Sequence, residues 1–335
     1  MKIGETINGY NIVSHINDGG FDSVYKVEKD GVQFAMKTVL PDADQDLVLR
    51  FRREVRLLMS VKDEHVIEVL DYDLDNDTPY YIMPFCSDSL SHEIKSLSDE
   101  KKVEAIIDFC KGIFAIHQAG ICHRDIKPDN ALFLDGILKI TDLGGGRFAN
   151  RDTTTLTQFG YIGTEGYMPP EYKTDPEAFK KGTRQGDIYM IGKSIYNVMS
   201  NGGDVSNVDL ANVNPGIAPI IERCLKTNLN ERYNNVDEII KELQVFKSVK
   251  QELKNGPKSL DEILREKGHE KYDDLYNLLL NEGNDEQSLY LLLQKLDDNI
   301  LRALFAAKSN QLNNYIGIYD QILRNPQGWI QTLLR

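Results

Sequence analysis

His123-Arg124-Asp125-Ile126-Lys127-Pro128-Asp129-Asn130, with Thr141-Asp142-Leu143-Gly144 beginning eleven residues after Asn130, decides the reading of this chain. A loop and a turn here bring two carboxylates and one carboxamide close together. Asn130 and Asp142 offer hard oxygen donors of the kind magnesium takes. Asp125 can accept a proton from an attacking hydroxyl. Lys127 can offset phosphate charge as it moves. A lone His-Arg-Asp would read as a polar loop at a helix end; the whole set in this order does not.

Upstream, the chain reads as strands with one helix. Tyr10 to Ile16, Val24 to Val27 and Gln33 to Val39 alternate apolar and polar residues, and Asp18-Gly19-Gly20 and Lys29-Asp30-Gly31 mark the turns between them. That pattern predicts an antiparallel meander. Asp46 to Ser60 carries Leu47, Phe51, Val55 and Leu58 at helical spacing. Val66 to Tyr72 and Tyr80 to Phe85 read as two further strands. After Cys86 the pattern turns helical: Lys101 to Gln118, ended by Gly120, then Asp187 to Ser200, Ile217 to Cys224 and Val236 to Phe246. Short strand-like pieces lie at Ala131–Leu134 and Leu138–Ile140. The fold class is α+β, with a small sheet-rich lobe over 1–85 and a larger helical lobe over 86–250.

Gln251 to Ser259 is polar and contains Asn255-Gly256-Pro257, which reads as a linker. Ser259 and Glu262 form a capping-box pattern. From there to Arg335 the chain is leucine-rich and helical, with Tyr315, Tyr319 and Trp329 near its end. Residues 251–335 are therefore expected to be an all-α module, either packing on itself or binding a partner.

The 335 residues are 41% hydrophobic, enough for a buried core, and carry a formal net charge of −13. That charge argues against a nucleic-acid or anionic-membrane binder, which needs a basic surface. Cys86, Cys110, Cys122 and Cys224 show no paired or ligand spacing and read as reduced thiols. Met1 to Gly9 has no apolar run, so no signal peptide is expected, and no stretch approaches a membrane span. A cytoplasmic protein is expected.

At the opening motif the sequence resembles the eukaryotic-type (Hanks-type) serine/threonine protein kinases, over about residues 10–247. His123 to Asn130 is similar to that family's H-R-D-x-K-x-x-N, and Asp142-Leu143-Gly144 to its D-F-G. The resemblance implies a two-lobed kinase fold and transfer of the γ-phosphate of ATP to protein hydroxyls. It makes Asp125 the catalytic base, Lys127 and Asn130 its neighbours in catalysis, and Asn130 and Asp142 the ligands of Mg2+ or Mn2+. Phe34-Ala35-Met36-Lys37 resembles the family's V-A-I-K, so Lys37 grips phosphates and Glu54 is its ion-pair partner. Met83, Phe85 and Cys86 line the adenine hinge, and Val24 and Ala35 sandwich the ring. Gly163-Thr164-Glu165-Gly166-Tyr167-Met168-Pro169-Pro170-Glu171 resembles the segment ending in A-P-E. There Thr164 bridges Asp125 and Lys127, and Glu171 pairs with Arg232. Asp187 resembles the helix aspartate that braces the catalytic-loop backbone.

Three departures stand out. Asn17, Gly19 and Asp22 take the glycine places of the phosphate loop, with Gly20 adding freedom beside the middle one. Asp22 puts negative charge near the phosphates and is expected to weaken nucleotide binding. Leu143 replaces phenylalanine. The Asn201 to Asn212 stretch is short and polar where the family often has a docking helix. Thr153, Thr154, Thr155 and Thr157 lie between Asp142 and Glu171, and Arg124 and Arg147 are candidates to clamp a phosphothreonine. Autophosphorylation there is an expectation. The imperfect loop also raises a second reading, a pseudokinase scaffold that binds nucleotide weakly and acts through its helical tail.

Overall fold

The computed structural model describes the chain apart from residues 20–21, 77, 146, 149–163, 176–177, 179–181, 255–259, 266–269, 283–295, 297 and 308–335, and for 147–148 and several helix ends it describes the backbone alone. Gly20, Thr153, Thr154, Thr155, Thr157 and the Arg147 side chain thus lie outside the described residues, as does the chain from residue 308 that holds Tyr315, Tyr319 and Trp329.

The alternating segments form one antiparallel sheet. Its strands are Thr6–Ile7 (β1), Tyr10–Asp18 (β2), Asp22–Lys29 (β3), Val32–Val39 (β4), Asp71–Asp73 (β5) and Tyr80–Pro84 (β6), in the order β1-β2-β3-β4-β6-β5. Side chains alternate faces along a strand. One face buries Tyr10, Ile12, Val27, Met36, Tyr80 and Ile82 as a core, with the Tyr10 and Phe34 rings edge to face at 5.9 Å. The other face carries Ala35, Lys37 and Tyr81. The helix Gln45–Ser60 (α1) starts where the Asp44 carboxylate accepts the Leu47 N–H at 2.9 Å. It buries Phe51, Glu54, Val55, Leu57 and Leu58, the spacing read from the sequence.

Val66 to Tyr72 departs from the expected strand; only its end joins the large sheet, as part of β5. Val66 and Ile67 are buried because they lie along Ile137–Ile140 (β10): Ile67 donates to the Ile140 carbonyl at 2.9 Å and Ile140 to that of His65 at 2.8 Å. Their apolar character reflects this contact with the helical part, not a place in the large sheet.

The helical part follows Asp88–Ser89 (β7) and Leu90–Glu93 (α2). Asp99–Gln118 (α3), capped by Ser98, buries Val103, Ile106, Ile107, Cys110, Ile113 and Ile116; Gly120 turns the chain out of it with φ +76°. Ile121–Cys122 (β8), Ala131–Leu134 (β9), β10 and Arg147–Phe148 (β11) complete two small sheets, β10-β9-β7 and β11-β8. Pro170–Thr174 (α4) precedes Arg184–Met199 (α5), which begins ahead of the expected Asp187 because the Thr183 hydroxyl caps it, accepting the Gly186 N–H at 2.9 Å. Asn201 to Asn212 holds only a 3-10 turn at Leu210–Asn212.

Ala218–Cys224 (α6) and Val236–Lys254 (α7) follow. The second continues past Phe246, where the periodicity ends it. Residues 247–254 contain no glycine or proline, and the first breakers are Gly256 and Pro257. The chain divides into two compact units: Met1–Asn214 with Ile220–Leu243, and Pro215–Pro219 with the chain from Gln244 onward. In the second, Leu260–Arg265 (α8), Glu270–Glu282 (α9) and Asp298–Ala307 (α10) bury Ile263, Leu275, Leu278 and Leu304. Among the described residues no helix is long and apolar enough to cross a membrane.

A buried ion pair ties the first unit together. Arg232 is 1% exposed, and its Nη1 and Nη2 reach Glu171 Oε1 and Oε2 at 2.7 and 2.8 Å. Its Nε donates to the Lys226 carbonyl at 2.7 Å and its Nη1 to that of Gln185 at 2.8 Å. Removing one partner strands a buried charge. Glu171→Ala is expected to lower the unfolding free energy of this unit by about 3–5 kcal/mol in a urea titration, whereas loss of the exposed Lys241–Asp237 pair should leave it unchanged.

Candidate active site

A cleft of about 870 Å³ opens between the large sheet and the helical part, within the range of small-molecule sites. Asn17, Gly19, Val24, Ala35, Lys37, Glu54, Met83, Phe85, Cys86, Asp125, Lys127, Asn130 and Asp142 all line it. Strand register brings several of them there. Lys37 lies opposite Val24 on β3 and Tyr81 on β6, and Ala35 lies opposite Met83, so these side chains share one face. A register shift between His15 and Asn17 re-aims the end of β2 beside the cleft.

Lys37 is 4% exposed and sits among acids: its Nζ is 2.9 Å from Glu54 Oε1, 3.0 Å from Asp22 Oδ2 and 3.5 Å from Asp142 Oδ1. The Tyr81 hydroxyl donates to Glu54 Oε1 at 3.1 Å. Burial alone would favour a neutral lysine, but Asp142, Glu54, Tyr81 and Asp22 outweigh it and hold the ammonium well above its ordinary range. One cation cannot satisfy three acids equally. Burial pushes Glu54 up to about 7; Lys37 opposes this, and Asp142 and Asp22 add to it. For Asp142 burial acts upward, but Lys37, the Gly144 N–H, His123 and Arg50 hold the carboxyl down to about 2. Arg50 of α1 donates its Nε to the Gly144 carbonyl at 2.7 Å, fastening the Asp142 turn to that helix.

The loop after β8 is shaped by Asp187, 0% exposed on α5. Its Oδ2 accepts the His123 N–H at 2.8 Å and contacts His117 Nε2 at 2.8 Å, and its Oδ1 accepts the Arg124 N–H at 2.9 Å. These bonds hold Arg124 at φ +72°, a left-handed angle that an arginine adopts only under such constraint. Asp125 then points into the cleft. Its Oδ1 accepts from the Thr164 N–H and Oγ1 at 3.1 and 3.2 Å, and its Oδ2 lies 3.2 Å from Asn130 Nδ2 and 3.4 Å from Lys127 Nζ. Lys127 donates to Thr164 Oγ1 at 2.7 Å. Asn130 Nδ2 also donates to the Asp125 carbonyl at 2.8 Å, which leaves the amide oxygen for a cation.

This donor set fits a divalent metal. Among the described residues no cluster of three or more His, Cys, Asp or Glu could hold one unaided. Asn130 and Asp142 supply two hard oxygens and need phosphate oxygens to complete a shell.

A protein kinase domain model matches residues 10–259. The chain belongs to the protein kinase family. The chain is 32% identical over 196 residues to a probable serine/threonine-protein kinase of Bifidobacterium longum, covering 55% of this chain and 25% of that one. It is 28% identical over 207 residues to the mouse dual specificity protein kinase TTK, covering 57% and 24%. A probable serine/threonine-protein kinase of Clostridium acetobutylicum is 25% identical over 269 residues, covering 72% and 40%. The matched part thus spans about a quarter to two fifths of these relatives. Membership of this family carries with it ATP and a divalent metal in general.

Several features of the kinase domain escaped the sequence. Tyr81 and Arg50 have no motif to announce them, and the sequence marks His117 only as part of a helix. The sequence places the Asp22 charge near phosphate but does not reveal its pairing with Lys37. Burial raises the thiols of Cys110, Cys122 and Cys224, and Cys86, which lines the cleft, is pushed by burial up to about 11.

The raised Glu54 is open to measurement. Carbon-13 NMR of labelled glutamates in the nucleotide-free protein is expected to show one carboxyl with a midpoint near 7, lost in Glu54→Gln. A raised carboxyl opposes ionisation, so this group's contribution to stability falls as pH rises from its unfolded value of 4.5 through 7. Asp142 acts oppositely: its contribution is lost as pH falls from 3.8 towards 2. A Glu54 midpoint at its ordinary 4.5 would contradict the charge arrangement described.

Proposed function

We propose that this chain is a serine/threonine protein kinase that transfers the γ-phosphate of ATP to protein hydroxyls, using Mg2+ or Mn2+. The observation that carries the reading is the Asp125 carboxylate, held by Thr164, Asn130 and Lys127 in the same cleft as Lys37 and Asp142. Asp125 accepts the proton of a substrate hydroxyl as its oxygen attacks the γ-phosphorus and the bond to the β-phosphate oxygen breaks. Lys127 neutralises charge on the moving phosphoryl group, and Lys37, steadied by Glu54, holds the remaining phosphates. Asn130 and Asp142 hold the metal, which when bound shields the phosphate charge. Met83, Phe85 and Cys86 with Val24 and Ala35 form the adenine slot, and Asn17, Gly19 and Gly20 the loop above the phosphates.

Preference for serine and threonine rests on Lys127 and its contact with Thr164, together with the naming of two bacterial relatives as probable serine/threonine-protein kinases. Autophosphorylation within Thr153 to Thr157 and a cytoplasmic setting belong to the same reading. We divide the chain as small lobe 1–85, large lobe 86–250 and helical module 251–335, the last a candidate for partner binding. A pseudokinase scaffold is less favoured, because it would gain nothing chemical from keeping Lys37, Glu54, Asp125, Asn130 and Asp142 in one cleft.

Incubation with labelled ATP and magnesium tests the proposal. The full chain is expected to label itself or a generic protein on serine or threonine. Asp125→Asn should lower the rate by about 10²–10⁴-fold without preventing ATP binding. ATP binding without transfer by the unaltered chain would support the scaffold instead. Labelling chiefly on tyrosine would overturn the residue preference.

A further inference from the structure

An ammonium has three N–H donors and no acceptor. At Lys37 one N–H is given to Glu54 Oε1 at 2.9 Å, and Asp22 and Asp142 crowd the same charge as ion-pair partners at 3.0 and 3.5 Å. A nucleotide phosphate can engage this lysine only if one acid withdraws. The three are not held alike. Glu54 has a side chain only 3% exposed and a second bond from the Tyr81 hydroxyl. Asp142 accepts the backbone N–H of Gly144 at 3.1 Å. Asp22 keeps 21% of its side chain in solvent, and among the described residues Lys37 is the only partner of its carboxylate.

Gly19 leaves room for that carboxylate. Gly19 donates its N–H to the Asp22 carbonyl at 2.7 Å, tying the residue after β2 to the first residue of β3. A Cβ on Gly19 would stand 2.4 Å from Asp22 Oδ1, so only glycine there leaves room for the Asp22 side chain to lie as it does. Beside it, the Ser23 hydroxyl donates to Asp18 Oδ1 at 2.6 Å and fastens the end of β2 to the start of β3.

We propose that Asp22 is an internal stand-in for nucleotide phosphate: its carboxylate pairs with the Lys37 ammonium where a triphosphate would, so ATP binds only by displacing it. The inference rests on the nucleotide reading of the cleft given above. The exchange is selective by chemistry. ADP and ATP carry phosphates that compete for Lys37 and must evict Asp22. Adenosine carries none and leaves the ion pair in place. The kinase is thereby set to a lower affinity for phosphate-bearing nucleotides than its adenine slot alone would give. The apparent dissociation constant is the intrinsic one divided by the fraction of molecules in which Asp22 has let go.

Calorimetry on the full chain, with magnesium present, tests this using ATP and adenosine as ligands against the unaltered protein, Asp22→Asn and Asp22→Gly. Asparagine keeps the volume and removes the charge; glycine removes both. Both variants are expected to bind ATP about tenfold more tightly, which corresponds to release of Asp22 in about one molecule in ten. Adenosine affinity should be the same in all three. Unchanged or weaker ATP binding by Asp22→Asn would overturn the inference, as would a parallel shift for ATP and adenosine. A gain confined to Asp22→Gly would trace the effect to backbone freedom and overturn it as well. Equal ATP binding by all three proteins would remove Asp22's role while leaving the kinase reading intact. Failure of ATP to bind any of them while they remain folded would bring down both.

Discussion

A single buried ammonium with more acids around it than it can satisfy organises this molecule. Lys37 reaches the cleft because β4 is paired on both sides, and Glu54 reaches it because α1 turns the same face inward as Phe51 and Leu58. Asp142 arrives from the far side of the sequence, at the turn after β10, and Arg50 fastens that turn to α1. Three elements from different parts of the chain therefore meet at one charge. In a low-dielectric setting no member of such a group is neutral in its effect on the others. The raised Glu54 and the depressed Asp142 are two consequences of the same shortage of positive charge.

A second constraint shapes the chemistry-bearing loop. Asp187 is wholly buried, and burial would raise its carboxyl; the His117 contact and charge, with His123 and the Arg124 N–H, lower it instead. It thus acts as an anionic peg for two backbone N–H groups. With those bonds in place Arg124 tolerates its left-handed angle, and Asp125 is directed at the cleft instead of at solvent. Strain at one residue and aim at the next have one cause.

Much of this was legible because the chemistry needs particular residue types. A lysine closing an apolar strand, a glutamate on the following helix and the Asp125–Asn130–Asp142 set announce themselves by identity and order. What stayed hidden depends on geometry that identity does not encode. Val66 and Ile67 look like strand residues but are apolar because they lie against β10. Gln251 to Lys254 look like the start of a linker yet continue α7, since these four residues hold no glycine or proline. Tyr81 supports Glu54 only because strand pairing sets it opposite Lys37. Asp22 carries the sharpest lesson: its charge was readable, but its grip on Lys37 follows from the bond between Gly19 and Asp22 and from the start of β3.

Under the proposed function Lys37 and Asp142, far apart in sequence, serve one triphosphate and its metal. A crystal structure of the full chain with magnesium and a non-hydrolysable ATP analogue addresses that claim directly. The expected result is Lys37 Nζ within hydrogen-bonding distance of a phosphate oxygen, and a metal bridging Asp142 to the same phosphate chain. A nucleotide bound elsewhere, or one that meets only one of these two residues, would contradict it.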